Sequence, residues 1–90
     1  MRPDQIQLTV LMTVYNGSPF LRTAVDSILN QTYADFSFLI VDDASTDDSR
    51  EIVRSYKDPR IQLVSLERNV GQTAALNIGL HQATTPWIAR

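Results

Sequence analysis

Apolar and polar positions along the chain follow two alternating periods, one typical of strands and the other typical of helices. Strands are predicted over residues 6–15, where the apolar run is nearly continuous, over 36–41, which is rich in β-branched and aromatic residues, and over 61–66, where apolar and polar residues alternate. A fourth strand is predicted over 87–90. Apolar residues recur at helical spacing between these strands, and the last helix is predicted over about 72–82. The chain therefore predicts a β-α-β-α-β-α-β order.

Polar residues that favour helix starts precede the first two predicted helices. Ser18 can cap the first helix, with Pro19 at its first position. Ser45 or Thr46 can cap the second helix, and Ser45 with Asp48 approximates a capping box.

This element order is typical of an α/β domain with a Rossmann-like, three-layer α/β/α architecture and a mostly parallel sheet of about four strands. The crossovers should be right-handed. In such sheets ligands bind beyond the carboxyl ends of the strands, where the strand order reverses. Polar residues that directly follow the strands are therefore candidate functional residues.

Three groups of residues follow the predicted strands and should converge on one rim. They are Thr13, Tyr15 and Asn16 after the first strand, Asp42 and Asp43 after the second, and Arg68, Asn69 and Gly71 after the third. The adjacent carboxylates repel each other unless hydrogen-bond donors or a cation offset the repulsion. Neighbouring strand residues point to opposite faces, so we expect one carboxylate to face a ligand and the other to anchor a loop.

Each candidate also has a purely structural interpretation. An Asp before a helix often only stabilises the positive helix end. Tyr15 can be a core residue as readily as an aromatic that stacks on a planar base. Arg68 is more typical of a solvated surface cation, and Gly71 of a turn.

Composition narrows the class of protein. Hydrophobic residues make up 43% and charged residues 20% of the 90 residues, as in a globular domain. The absence of Cys and the single His exclude thiolate chemistry and a His-rich zinc site. The net charge of −2, without a basic run, argues against nucleic acid as a partner.

The sequence shows no targeting or membrane segment and lacks three common nucleotide-binding and catalytic motifs. The apolar stretches are too short for a signal peptide or a membrane helix, so no membrane segment is expected and the default compartment is cytoplasmic. The G-x-x-x-x-G-K-[ST], G-x-G-x-x-G and G-x-S-x-G motifs do not occur. Ordinary ATPase, dinucleotide-dependent redox and serine hydrolase functions therefore lose support.

Five short segments together resemble the start of family-two glycosyltransferases, which have the GT-A fold. They are V-Y-N-G, S-I-L-N-Q-T-Y, V-D-D-A-S-T-D, R-N-x-G and A-L-N-x-G, and the resemblance extends from about Leu8 to Arg90. It implies that residues 1–90 are the N-terminal, nucleotide-binding half of a GT-A domain. It also implies a nucleotide-diphosphate sugar as partner, with a UDP-sugar expected.

The resemblance implies roles for the candidate residues. In relatives the segment matching Thr13 and Tyr15 lies against the nucleobase. The position matching Asp43 reads the base edge, and the Asp42 position helps to shape the same pocket. The loop matching residues 68–71 lies nearby.

The chain also departs from the family pattern. Family members hold Mg²⁺ or Mn²⁺ with an Asp-x-Asp motif and use a downstream Asp as general base. The 90 residues contain no Asp-x-Asp, and the base is expected beyond Arg90. The chain alone is therefore expected to bind no metal ion, to bind its nucleotide weakly and not to catalyse the inverting transfer. We do not assign Asp42 and Asp43 as metal ligands.

Two further expectations concern partners and function class. The fourth strand should lie beside the first and leave a sheet edge that can pair with a second copy, so a tendency to form homodimers is expected. The alternative function is a non-catalytic α/β regulatory or nucleotide-binding module, such as a phospho-receiver-like domain. A receiver would place its acidic pair after the first strand, whereas this pair follows the second, which favours the transferase hypothesis.

Overall fold

The elements of the fold are described from a computed structural model, over residues 8–31, 35–85 and 87–89. In chain order they are β1 (Leu8–Val14), α1 (Ser18–Leu29), β2 (Phe36–Asp42), α2 (Ser49–Arg54), β3 (Ile61–Ser65), α3 (Gln72–Gln82) and β4 (Trp87–Ala89). This order confirms the predicted alternation. The predicted start of the first strand at Ile6 and the predicted end of the fourth at Arg90 lie outside the described residues.

The four strands form one sheet in the order β3-β2-β1-β4. All three pairings are parallel, with Val10 opposite Phe38 on one side and opposite Ala89 on the other. The strand order reverses at β1, which has β2 on one side and β4 on the other. The predicted parallel sheet is confirmed, and its switch point lies beside β1.

The sheet is covered on both faces because alternate residues of its central strands point in opposite directions. On one face Phe36, Phe38 and Ile40 of β2 pack with buried residues of α1 and α2. On the other face Leu39 and Val41 pack against α3. The result is the predicted three-layer architecture. Within the described residues, no helix is long and apolar enough to cross a membrane.

Both predicted helix caps were wrong. The residue that precedes α1 is Gly17, so Ser18 and Pro19 are already helical. Helix α2 begins at Ser49, after Asp48, and is therefore shorter than the capping box predicted. The reason is that the Ser45 hydroxyl donates to the Asp42 carboxylate at 2.6 Å, which holds this serine at the end of β2.

Helix α3 approaches the sheet closely at Gly79, which is buried. A Cβ at this position would clash with Leu11 Cδ1 and would lie 3.1 Å from Val41 Cγ2. Leu11 is 2% exposed and Val41 is fully buried, so neither can move without disturbing the core. The absence of a side chain at Gly79 therefore sets the distance between α3 and the sheet.

We expect Gly79→Ala to lower the free energy of unfolding by about 1–3 kcal/mol, because the added methyl overpacks the core. Helix propensity alone would act in the opposite direction, by about 0.5–1 kcal/mol. Urea denaturation measures the difference. Asn77→Ala, on the exposed side of the same helix, is the control and should leave stability equal or slightly higher. A gain in stability for Gly79→Ala would contradict the close approach.

Candidate functional site

A cleft of about 400 Å³ opens at the carboxyl edge of the sheet. It is lined by Thr13, Val14, Tyr15, Asp43, Asn69, Gly71 and Gln72. The structure thus brings five of the eight predicted residues to one cleft, while Asn16, Asp42 and Arg68 are not among its lining residues. The common position of the five follows from the parallel sheet, in which all strands end at the same edge.

Asp43 joins the end of β2 to the loop before α3. Its Oδ1 accepts the Val70 N–H at 2.8 Å, and its Oδ2 accepts the Gly71 N–H and the Asn69 side-chain amide, each at 3.0 Å. These charge-assisted bonds satisfy backbone donors of an otherwise irregular loop. Asp43 is only 2% exposed, yet it lines the cleft, and Oδ1 with one bonded donor keeps capacity for another.

Asp42 is sealed beneath the neighbouring loop, with 1% of its surface exposed. Its Oδ1 accepts the Ser45 hydroxyl at 2.6 Å, and its Oδ2 accepts the Ser45 N–H at 3.0 Å. Arg50 Nε lies 3.5 Å from Oδ2 and compensates the buried charge. The sequence predicted that one acid would anchor a loop and the other would face a ligand. In the structure both acids anchor loops, and Asp43 in addition lines the cleft.

Ala44, which follows the two acids, has a left-handed backbone conformation with φ of 61°. An alanine adopts this conformation only at a cost of about 1–3 kcal/mol, which the surrounding bonds must offset. The turn at Ala44 bends the chain after Asp43, so that the N–H and hydroxyl of Ser45 reach the Asp42 carboxylate.

The remaining predicted residues have different surroundings. Tyr15 is 53% exposed at the end of β1. Asn16 has φ of 52° and directs its side-chain oxygen to the loop between β2 and α2, where it accepts the Thr46 N–H at 2.7 Å. Arg68 is exposed on the loop after β3.

Asp47 was not among the predicted site residues, yet its carboxylate links the starts of two helices. Its Oδ1 accepts the Ser49 N–H at 2.9 Å and the Ser49 hydroxyl at 2.5 Å, and its Oδ2 accepts the Ser18 N–H at 3.1 Å. The Ser49 hydroxyl bond is the main cause that lowers the pKa of Asp47 from 3.8 to about 2, against a smaller opposing effect of burial. The Asp-x-Ser spacing is an Asx-turn signal that indicates the local bond but not the one to Ser18. Gln72, which also lines the cleft, was likewise not predicted.

The described residues do not fit a divalent metal ion. Over 8–31, 35–85 and 87–89, no group of three or more His, Cys, Asp or Glu side chains is arranged to hold one. Asp42 and Asp43 alone supply fewer than the three side-chain ligands of such a group, and both are used to hold neighbouring loops. We therefore assign no metal-dependent step to these residues.

The comparisons with known proteins agree on one family. Residues 9–90 match the family described as Glycosyl transferase family 2. An uncharacterized glycosyltransferase of Haemophilus influenzae is 39% identical over 83 residues, which cover 90% of this chain and 33% of that protein.

Two solved structures share the fold. Mannosyltransferase PcManGT from Pyrobaculum calidifontis, in complex with GDP-Man and Mn²⁺, is 32% identical with a TM-score of 0.79 and covers 87% of this chain and 24% of its own. S. aureus TarS 1-349, in complex with UDP-GlcNAc, is 26% identical with a TM-score of 0.85 and covers 92% and 25%. The chain thus spans about a third of the first relative's length and about a quarter of these structures.

The lowered pKa of Asp47 predicts a pH dependence of stability. A carboxylate with a depressed folded-state pKa contributes stability that is fully present above its unfolded-state pKa of 3.8 and is lost as the pH falls towards about 2. We therefore expect the difference in unfolding free energy between the wild type and Asp47→Asn to be constant above pH 5 and to shrink between pH 4 and pH 2. Urea denaturation across this range measures the difference, in which other titrating groups cancel. A difference that does not vary with pH would contradict the assigned bonds.

Proposed function

This chain belongs to glycosyl transferase family 2, and from that premise we propose that its cleft binds a nucleotide-diphosphate sugar, with UDP as the nucleotide. We propose further that the purpose of this binding is transfer of the sugar to an acceptor hydroxyl, with inversion. The supporting observation is the convergence of Thr13, Tyr15, Asp43, Asn69 and Gly71 on one cleft at the switch point of the sheet. The TarS structure, whose partner is UDP-GlcNAc, supports the choice of UDP.

Tyr15 and Asp43 supply the two contacts that a pyrimidine base requires. The exposed ring of Tyr15 offers an apolar face on which a planar base can stack. The free acceptor capacity of Asp43 Oδ1 suits the imide N–H of uracil. A cytosine base has an unprotonated nitrogen at the same position, so its lone pair would face the carboxylate. The site should therefore discriminate against cytosine by leaving a buried acceptor without a donor.

The described residues support binding rather than chemistry. The divalent ion that the family resemblance implies, Mg²⁺ or Mn²⁺, has no group of three or more side-chain ligands among them. The presence of Mn²⁺ in the PcManGT complex supports a metal-dependent transfer in the longer relatives. We therefore propose that the 90-residue chain binds UDP and UDP-sugars without turnover. A metal site would require residues other than those that the structure describes.

We expect UDP to bind the chain about tenfold more tightly than CDP, a difference of about 1.4 kcal/mol. Asp43→Asn should remove or reverse this preference, because the amide can donate to the cytosine nitrogen. Titrations followed by amide NMR measure both affinities, and the shifts should cluster at Thr13–Asn16 and Asp42–Ala44.

The control variant for this test is Asn69→Ala. It removes one donor to Asp43 but keeps the carboxylate, so it should retain the preference for UDP even if the loop loosens. Retention of the same UDP to CDP ratio in Asp43→Asn would remove Asp43 from base recognition. Indifference of the wild type to all nucleotides would favour the alternative, a non-catalytic regulatory module.

We also propose self-association through the β4 edge. Within the described residues β4 pairs only with β1, over three residues, and exposes 67% of Trp87 and 37% of Ile88. Exposed edge strands with apolar side chains are templates for strand pairing. Sedimentation should show a concentration-dependent dimer, and Ile88→Lys should weaken it, because a charge at the edge opposes pairing. A monomer at all concentrations would contradict this proposal.

A further inference from the structure

We propose that Asn16 is a positioning residue that fixes Tyr15 at the mouth of the cleft. The proposal rests on the proposed nucleotide binding and assigns Asn16 a task other than touching the nucleotide. The geometry points to it because Asn16 is oriented towards the loop between β2 and α2, while the preceding residue lines the cleft.

One side-chain oxygen of Asn16 gathers three donors from that neighbouring loop. Asn16 Oδ1 accepts the Thr46 N–H at 2.7 Å, the Thr46 hydroxyl at 3.3 Å and the Asp47 N–H at 3.3 Å. No apolar packing is needed for this contact, since a single acceptor satisfies backbone donors that a short irregular loop leaves unpaired. The oxygen thus fixes the position of the loop at residues 46 and 47 relative to the end of β1.

The backbone of the same segment repeats the connection in the other direction. The N–H groups of three consecutive residues donate to side chains of the neighbouring loop and of the first residue of α2: Asn16 to Ser45 Oγ at 2.9 Å, Gly17 to Ser49 Oγ at 3.1 Å and Ser18 to Asp47 Oδ2 at 3.1 Å. We call this set of bonds, between residues 16–18 and residues 45–49, the loop clasp. Donors and acceptors are present on both sides, so the two loops hold each other in place.

The backbone conformation restricts which residue can serve at this point. The φ of 52° at Asn16 lies in the left-handed region, which Asn and Asp adopt more readily than other residues with side chains. Asn16 therefore combines a tolerated backbone angle with an acceptor of the right length. Glycine would tolerate the angle without the acceptor, and aspartate would supply both.

The clasp and the strand pairing of β1 hold the backbone on the two sides of Tyr15. Tyr15 is 53% exposed, so burial alone does not hold it in place. The strand pairing of Val14 with Asp42 fixes the backbone before Tyr15, and the clasp fixes the backbone after it. A residue whose backbone is held on both sides loses less conformational freedom when a base stacks on its ring, which strengthens binding.

The test compares Asn16→Gly, which removes the acceptor, with Asn16→Asp, which retains it. Tyr56→Phe is the matched control. It removes a 2.6 Å hydrogen bond from the Tyr56 hydroxyl to Asp26, which also connects the α1 and α2 segments but does not touch the clasp. Two quantities are measured for each variant: the heteronuclear ¹⁵N NOE of Tyr15 in the free protein, and the dissociation constant for UDP.

We expect Asn16→Gly to lower the NOE of Tyr15 and to weaken UDP binding by about 5- to 10-fold, the equivalent of one or two lost hydrogen bonds. Asn16→Asp should restore most of both quantities, and Tyr56→Phe should leave both at wild-type values. A loss of general stability would affect Tyr56→Phe as well, so the difference between this control and Asn16→Gly reports on the clasp.

Three results would overturn the inference. They are an unchanged NOE and affinity in Asn16→Gly, an equal loss in Asn16→Asp, and an equal loss in Tyr56→Phe. Failure of the wild type to bind UDP would instead refute the proposed function. The NOE of Tyr15 in the free protein would then decide alone whether Asn16 holds this residue in place.

Discussion

Two buried carboxylates can be neighbours at the end of β2 because each has its own set of hydrogen-bond donors. Asp42 is satisfied by Ser45 and Arg50, and Asp43 by the loop that contains Val70 and Gly71. Without these donors the mutual repulsion and the desolvation of two charges would oppose folding. The two carboxylates therefore hold the loops around the cleft in place through these hydrogen bonds.

The two carboxylates connect the fold to the site in a definite order. The parallel sheet brings the ends of β1, β2 and β3 to one edge, and Asp43 then draws the start of α3 against that edge. Asp42 holds Ser45, and Ser45 in turn accepts the backbone N–H of Asn16. Asp42 at the end of β2 thus restrains the loop that contains Ser45, and this loop restrains the chain at Asn16, after β1. The cleft is lined by the end of β1 and by Asp43.

The sequence predicted the parts of this arrangement that depend on local pattern. Continuous apolar runs identified β2, and helical spacing identified α3 with its observed limits, because both signals arise within a few residues. Five of the eight candidate residues line the cleft, since their position follows from the parallel sheet alone. The start of α2 was misplaced because Ser45 satisfies a cap signal locally but is used by Asp42. The loop clasp joins residues about thirty positions apart, and no local pattern indicates such pairs.

The left-handed turn at Ala44 has a consequence for the acid that never meets the cleft. A residue held away from its preferred backbone angles has an unfavourable conformational energy, and the conformation persists only because the bonds around it offset that energy. Both Ser45 groups that bind Asp42 lie directly after this turn. Neutralising Asp42 would weaken both bonds, and the strained turn next to Asp43 would lose part of its support.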